Sequence, residues 1–254
     1  MDLKEFFERY PRAAIGFSGG VDSAFLLYAG KKYGADVRPY FIKTAFQPDF
    51  ELQDALRLTK ELGIKLTVIE HDILEEPHVA ENPADRCYYC KSALFGALKR
   101  RAIQDGYQIL LDGTNASDDA GDRPGMRAIQ ELKVFSPLRE CGLTKAEIRR
   151  LSKEAGLFTW EKPSYACLAT RVPTGEVLTE EILSKIEKSE TVLVSLGFSD
   201  FRIRLFHETA RIQLPEKQFP LLLQKREELL KALRPYYDVI LLDLDPRQPE
   251  PEEL

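Results

Sequence analysis

The run Ser18-Gly19-Gly20-Val21-Asp22-Ser23 sets two glycines, two hydroxyls and one carboxylate between an apolar strand candidate and a helical stretch. Glycine lets the backbone turn sharply and approach a ligand closely. The N–H groups of a helix start, with the helix dipole, favour an anion there, and Ser18 and Ser23 add hydroxyl donors. Asp22 repels phosphate, so its chemistry is Mg²⁺ binding or helix capping. The string lacks the G-K-[ST] ending of the Walker loop, which disfavours a motor-type or GTPase-type protein. A Gly-rich turn without a ligand has the same local composition.

Cysteine supplies the second kind of chemistry. Cys87 and Cys90 form CYYC, Cys141 lies in SPLRECGLT and Cys167 in PSYACLATR. Two thiolates three residues apart at a helix start can share a metal, with further ligands from elsewhere in the chain. The same residues fit a redox dithiol, a zinc site using all four cysteines, or packed thiols. In DGTNASDD, Asp118 and Asp119 are candidate Mg²⁺ ligands, and equally members of a solvated Asx-rich turn. FRIRLF alternates, putting Arg202 and Arg204 on one strand face, with Arg211 on the neighbouring strand candidate. Guanidiniums on one face suit a phosphate clamp as well as a solvated surface.

The elements that must position these residues alternate in the first part of the chain. Ala13–Phe17, Val37–Lys43, Leu66–Glu70 and Gln108–Asp112 read as strands, and Val21–Tyr33 and Phe50–Leu62 as helices. This predicts an α/β fold, a parallel sheet with helices on both faces, whose ligands sit beyond the carboxyl ends of the strands. TKAEIRRLSKEAG reads as a helix with a Thr144/Glu147 capping box and a Gly156 stop. KPSYACLATRVPTGE has no periodicity and is expected to join two domains and line the site. Beyond Thr179 the order is a helix to about Leu196, strands Phe201–Phe206 and Thr209–Leu214, a helix to about Leu233, and strand Tyr237–Leu242. That is a small α+β unit of ferredoxin-like order. The predicted organisation is residues 1–165 for the nucleotide domain, 176–245 for a substrate domain and 246–254 for a flexible Pro/Glu-rich tail.

At 254 residues with a net charge of −5, the chain has no general attraction to nucleic acid, so phosphate binding must come from local features. No stretch approaches the roughly 20 apolar residues of a membrane helix. The first residues also lack a signal peptide's apolar core, so a cytoplasmic location is expected. In that reducing setting the four cysteines are not expected to be disulfides.

SGGVDS resembles the pyrophosphate loop of the ATP pyrophosphatase (PP-loop) superfamily. SGGVDS, NPADRCYYCK, DGTNASDD, RPG, SPL and KPSYACLATR, in that order from about Ile15 to Pro215, resemble the LarE family of ATP-dependent sulfurtransferases. The resemblance implies ATP cleavage to AMP and pyrophosphate on Ser18–Ser23, with Gly113, Thr114 and Asn115 bordering the nucleotide. It implies as substrate a pyridinium-3,5-biscarboxylic acid mononucleotide, adenylated on a carboxylate and converted to a thiocarboxylate for nickel-pincer nucleotide synthesis. It assigns the mononucleotide phosphate to Arg202, Arg204 and Arg211, with Glu190 as a substrate or metal contact or a solvated residue. Lys162 and Arg171, flanking Cys167, are expected to neutralise phosphate or the transition state. The family has two sulfur strategies: sacrifice of a cysteine's own sulfur, or a [4Fe-4S] cluster on three cysteines. With Cys87, Cys90 and Cys167 present the cluster type is favoured over sacrifice of Cys167, and Cys141 is left as a packed thiol. A tRNA thiolase, an amide-forming synthetase and a zinc-stabilised nucleotide-binding regulator are the competing readings. The resemblance also implies a homo-oligomer.

Overall fold

The computed structural model describes residues 1–118 and 124–247, so Asp119 and Arg123, and the tail from Gln248, lie outside the described residues. In chain order the elements are α1 (Leu3–Arg9), β1 (Arg12–Gly16), α2 (Val21–Lys32), β2 (Asp36–Lys43), α3 (Asp49–Glu61), β3 (Thr67–Glu70), α4 (Pro77–Ala80), α5 (Arg86–Gln104), β4 (Leu110–Leu111), α6 (Pro124–Glu131), α7 (Pro137–Glu140), α8 (Lys145–Glu154), α9 (Glu180–Ser195), β5 (Arg202–Phe206), β6 (Thr209–Gln213), α10 (Phe219–Gln224), α11 (Arg226–Leu233) and β7 (Ile240–Leu242). They form two compact units: Met1–Val79 with Asp85–Lys162, and Ala80–Ala84 with the chain from Pro163 onward.

The first unit is a parallel sheet of order β3-β2-β1-β4. Its central strands β1 and β4 are apolar on both faces, as expected where helices cover both sides. Ala13 and Ile15 point into one core with Phe25, Leu26 and Leu27 of α2. Ala14 points into the other with Leu98 and Ala102 of α5. The order reverses between β1 and β4, because β2 and β3 extend one way and β4 lies on the other side of β1. A crevice forms beyond strand carboxyl ends at such a reversal, and there the loops after β1 and β4 emerge.

The strand expected over Gln108–Asp112 is only Leu110–Leu111. Its flank is continued by the segment at Phe135, which donates to Leu110 O and accepts from Asp112 N at 2.9 Å each. Helix α1 was not among the expected elements. An Asp2/Glu5 capping box starts it, and Leu3, Phe6 and Phe7 at helical spacing bury its inner face.

The second unit packs α9 on β5 of a three-stranded sheet, β5-β6-β7, with α11 against α9. β5 and β6 are antiparallel, and β6 and β7 parallel, so this is not the four-stranded antiparallel sheet of a ferredoxin-like unit. His207 and Glu208, at φ 46° and 62°, turn the β5–β6 hairpin. Both turn positions lie in the left-handed region, as a two-residue hairpin of this twist requires. Ala80–Ala84 joins this unit through Asn82, whose Nδ2 donates to Pro173 O at 2.8 Å.

Candidate active site

The phosphate loop hangs on β1. Gly19 sits at φ +73°, and a Cβ there would meet Glu51 O at 3.1 Å. Gly20 is the N-cap of α2, and no side chain caps the helix. Its first-turn N–H groups are therefore free of the usual competitor for an anion. Ser18 and Ser23 face each other, Oγ to Oγ 3.2 Å, and Ser23 Oγ also lies 3.2 Å from Gly20 O. Val21 is buried and anchors the turn in the core.

Asp22 does not cap the helix. Its Oδ2 accepts from Lys145 Nζ at 2.6 Å and its Oδ1 from Asn115 Nδ2 at 3.3 Å. Burial pushes its carboxyl above the ordinary aspartate range; Lys145 opposes this, and the charge of Asp118 adds to it. Asn115 belongs to the turn after β4, where Gly113 packs so closely on α2 that a Cβ would lie 3.0 Å from Ser23 N. Thr114 N and Oγ1 donate to Asp112, and Asn115 N donates to Asp118 Oδ2 at 2.9 Å. Asp118 is thus both a turn acceptor and a near neighbour of Asp22's charge. Lys162 Nζ donates to Gly19 O at 3.3 Å and pairs with Asp54 Oδ2 at 2.6 Å. It braces the phosphate loop.

Cys87 and Cys90 occupy the first turns of α5, Cys87 exposed and Cys90 half-buried, and neither is in a disulfide. The two tyrosines between them are held in place. Tyr88 OH donates to Glu131 Oε2 at 2.7 Å, Arg127 lies 3.9 Å from the Tyr88 ring centre, and Tyr89 stacks on His78. Cys141 ends α7 against the main core, where burial pushes its thiol up. Among the described residues no three His, Cys, Asp or Glu side chains stand together as a ready metal cage.

In the second unit Cys167 precedes a short 3-10 turn, Leu168–Arg171. Arg171 and Glu190 are consumed within this unit. Arg171 Nε and Nη2 donate to the two oxygens of Glu190 at 2.9 and 3.1 Å, and Nη1 donates to Ala166 O at 2.7 Å and Cys167 O at 3.3 Å. Glu190 also accepts from Ile203 N at 3.0 Å and from Tyr165 OH. The side chains of Arg171 and Glu190 are 0% and 6% exposed. Burial opposes the charge of Arg171, but Glu190 outweighs it, so the guanidinium titrates above the ordinary arginine range. With both side chains almost sealed from solvent, the pair fixes the carbonyls of Ala166 and Cys167.

Arg202, Arg204 and Arg211 share one face of the hairpin, with Arg204 directly opposite Arg211. Arg202 donates to Phe201 O at 2.6 Å and Ser164 O at 2.7 Å, and Arg204 to Thr170 O at 2.9 Å. Burial, then the charges of Arg171 and Arg247, pulls Arg202 down to about 10. Arg204 is lowered by burial and by Arg171, Arg211 and Arg247. Cations that lower one another's pKa leave an excess of positive charge, which an anion relieves.

No family model matches the chain. An uncharacterized protein of Synechocystis is 37% identical to it over 220 residues, 85% of this chain and 81% of its own length. The pyridinium-3,5-bisthiocarboxylic acid mononucleotide synthase of Lactiplantibacillus plantarum is 33% identical over 207 residues, 81% of this chain and 75% of its own. The chain belongs to the LarE family of ATP-dependent sulfurtransferases. An uncharacterized protein of Methanocaldococcus jannaschii is 30% identical over 235 residues, 92% of this chain and 89% of its own. The LarE relationship and the parallel sheet together identify the first unit as a PP-loop fold.

Lys145, Asp54 and Arg247 were not anticipated. Lys145 had a local signal, since a cation at the first residue of a helix opposes the dipole. Asp54 is one of several acidic residues of α3, and nothing in its sequence neighbourhood sets it apart from the others.

Proposed function

We propose that this enzyme adenylates a carboxylate of pyridinium-3,5-biscarboxylic acid mononucleotide and replaces the activated oxygen with sulfur carried on a [4Fe-4S] cluster. The substrate reading is carried by the relationship to the Lactiplantibacillus synthase, which extends over three quarters of that protein. The arginine face of β5 and β6 supports it: Arg211 pairs with Asp243, but the hydrogen bonds of Arg202 and Arg204 go to carbonyls and the Gln213 amide, so a mononucleotide phosphate would supply those two with an anion.

A carboxylate resists nucleophiles because charge and resonance protect its carbon. Its oxygen attacks the α-phosphorus of ATP, the bond to the β-phosphate oxygen breaks, and pyrophosphate leaves with the electron pair. The N–H groups of Gly20–Ser23 and the hydroxyls of Ser18 and Ser23 stabilise that departing charge, and Lys162 keeps the loop in shape. Asp22, with Asp118, offers hard oxygen donors suited to Mg²⁺, which would add Lewis-acid neutralisation of the phosphates. A sulfide nucleophile then attacks the acyl carbon of the adenylate, and AMP departs with the C–O electron pair, leaving a thiocarboxylate.

The donor set fits an iron–sulfur cluster chemically. Cys87 and Cys90 lie in the first turns of α5 outside any disulfide, and Cys167 is a third, half-buried thiol. The raised Cys141 thiol is unsuited to the role. Three thiolates would leave one iron without a protein ligand, and that iron would supply the position for the sulfide. The second unit is assigned to the mononucleotide phosphate through Arg202, Arg204 and Arg211. The protein is taken to be a cytoplasmic homo-oligomer.

The test is anaerobic iron and acid-labile sulfide analysis of the wild type beside Cys87→Ala, Cys90→Ala, Cys167→Ala and Cys141→Ala, each also assayed for pyrophosphate release with the pyridinium substrate. The first three variants should lose iron and sulfide together, while Cys141→Ala keeps both. A colourless wild type that instead loses the sulfur of Cys167 during turnover, seen by mass spectrometry, selects the sacrificial mechanism. Absence of substrate-dependent pyrophosphate release removes the substrate assignment.

A further inference from the structure

Arg202 and Arg204 share one face of β5, and both reach back to the segment that carries Cys167. They take its two ends. Arg202 Nη2 donates to Ser164 O at 2.7 Å, before Cys167, and Arg204 Nη1 donates to Thr170 O at 2.9 Å, after it. Between those points the segment is tied to itself. Thr170 N and Oγ1 both donate to Cys167 O, at 3.0 and 2.8 Å, and Arg171 Nη1 donates to Ala166 O at 2.7 Å. The Tyr165 ring has two guanidiniums beside it, Arg171 at 4.5 Å and Arg202 at 5.2 Å from its centre, and its hydroxyl donates to Glu190. Arg211, the third cation of that face, differs. Among the described residues it makes no hydrogen bond to the Cys167 segment, and its partner is Asp243, 3.5 Å away.

We infer that Arg202 and Arg204 are positioning residues for Cys167: the mononucleotide phosphate, once bound to them, stiffens the Ser164–Thr170 segment and fixes where the thiol stands. The inference rests on the reading of the arginine face as the phosphate site. A guanidinium has five N–H donors in one rigid plane. Arg202 spends Nη1 on Phe201 O and Nη2 on Ser164 O, and Arg204 spends Nε on Gln213 and Nη1 on Thr170 O, so donor hydrogens remain for an anion. An anion held on one edge of the plane fixes the donors on the other edge, and bonds sharing a charged group reinforce one another. The neighbouring arginines weaken each other's charged state, and an anion removes that penalty as well. No covalent bond is made or broken. Binding energy from the non-reacting phosphate is thereby spent on ordering the sulfur-bearing segment, the kind of use that shows in kcat as well as KM.

Hydrogen exchange of the full chain, read by mass spectrometry with inorganic phosphate as the probe, tests this. Peptides from 163–172 report the segment, 201–214 the arginine hairpin, and 18–32 the phosphate loop, which the same ion can also enter. In the wild type, phosphate that saturates the hairpin should slow exchange over 163–172 about fivefold. Arg211→Ala should need about tenfold more phosphate yet reach the same slowing, because it loses an anion contact and no segment contact. Arg204→Lys keeps the charge, but one ammonium lacks the fork that spans an anion and Thr170 O. At its own saturating phosphate the slowing should fall below about twofold. A merely structural tie would leave exchange over 163–172 indifferent to phosphate in every form. If phosphate protects 201–214 in no form, the phosphate reading of the arginines is wrong and this inference falls with it. If 201–214 is protected while 163–172 is not, or Arg204→Lys slows as much as wild type, the coupling alone is overturned. Should Arg204→Lys fail to fold in a thermal melt, Arg204→Gln decides by the same criterion.

Discussion

Removing Glu190 should damage the second unit before it damages catalysis. Glu190→Ala leaves the guanidinium of Arg171, wholly buried, without its bidentate partner. It also leaves the Ile203 N–H, on a buried position of β5, without its 3.0 Å acceptor. Breaking a buried ion pair from one side costs about 3–5 kcal/mol, and an orphaned buried N–H about 1–3 kcal/mol. The two overlap, so about 4 kcal/mol is the expected loss, much of the total stability of a small domain. For a unit of this size each kcal/mol moves Tm by about 4–8 °C, so the unit should melt at least about 15 °C lower or fail to fold. Hydrogen exchange read by mass spectrometry checks this locally: peptides from 163–214 lose protection, and those covering β1 and α2 serve as the control. The paired apolar variant Glu190→Leu with Arg171→Met should recover most of the stability. It still lacks the hydrogen bonds to the carbonyls of Ala166 and Cys167, so sulfur transfer stays impaired in a folded protein. If Glu190→Ala lies within about 1 kcal/mol of wild type and Ile203 keeps its protection, the pair is not what holds the Cys167 loop.

Gly19→Ala should cost about 1–3 kcal/mol from its positive φ alone; the 3.1 Å approach to the Glu51 carbonyl also displaces the loop, so ATP-dependent pyrophosphate release is lost. Gly156→Ala, at φ +70° with open space around it, should pay only the conformational cost and keep its kcat. Gly113→Ala pushes against Ser23 N and should raise the Kd for Mg·ATP at least about tenfold, measured by calorimetry, with little change in affinity for the pyridinium substrate. Asp22→Asn should be inactive yet at least as stable as wild type in metal-free buffer. Because folding raises the Asp22 pKa, the folded state holds that proton more tightly, and wild-type stability falls as pH rises through the raised value. The advantage of the variant should therefore be largest near neutrality and shrink on acidification, as read from melts in a chelator.

Much of the first unit was readable because its cues are local. The apolar run of β1, the two glycines after it and the helical composition of α2 are contiguous, and a parallel sheet with a ligand at its carboxyl ends follows from their alternation. The Thr144/Glu147 capping box was local as well, and it is present as read. The Asp2/Glu5 box of α1 is the same device in a helix of seven residues, too short to announce itself by period. The β5–β6 turn carries His207 and Glu208 where Asn and Gly are the usual signal, so its left-handed conformation is imposed by the strands on either side.

The site was less readable, since what decides a charged side chain's role is its partner, and partners are chosen across the fold. Glu190, on a helix face, reads equally as a ligand contact or a solvated residue until Arg171 is seen to take both its oxygens. Lys162 sits five residues before Cys167 in sequence, but its ammonium serves Gly19 and Asp54, more than a hundred residues earlier in the chain. Lys145 shows where the boundary falls. That a lysine at the start of a helix is electrostatically misplaced can be seen from ten residues of sequence; that Asp22, 123 residues away, is what compensates for it requires the fold. A local rule broken in the sequence marks where a tertiary partner or a ligand must be sought.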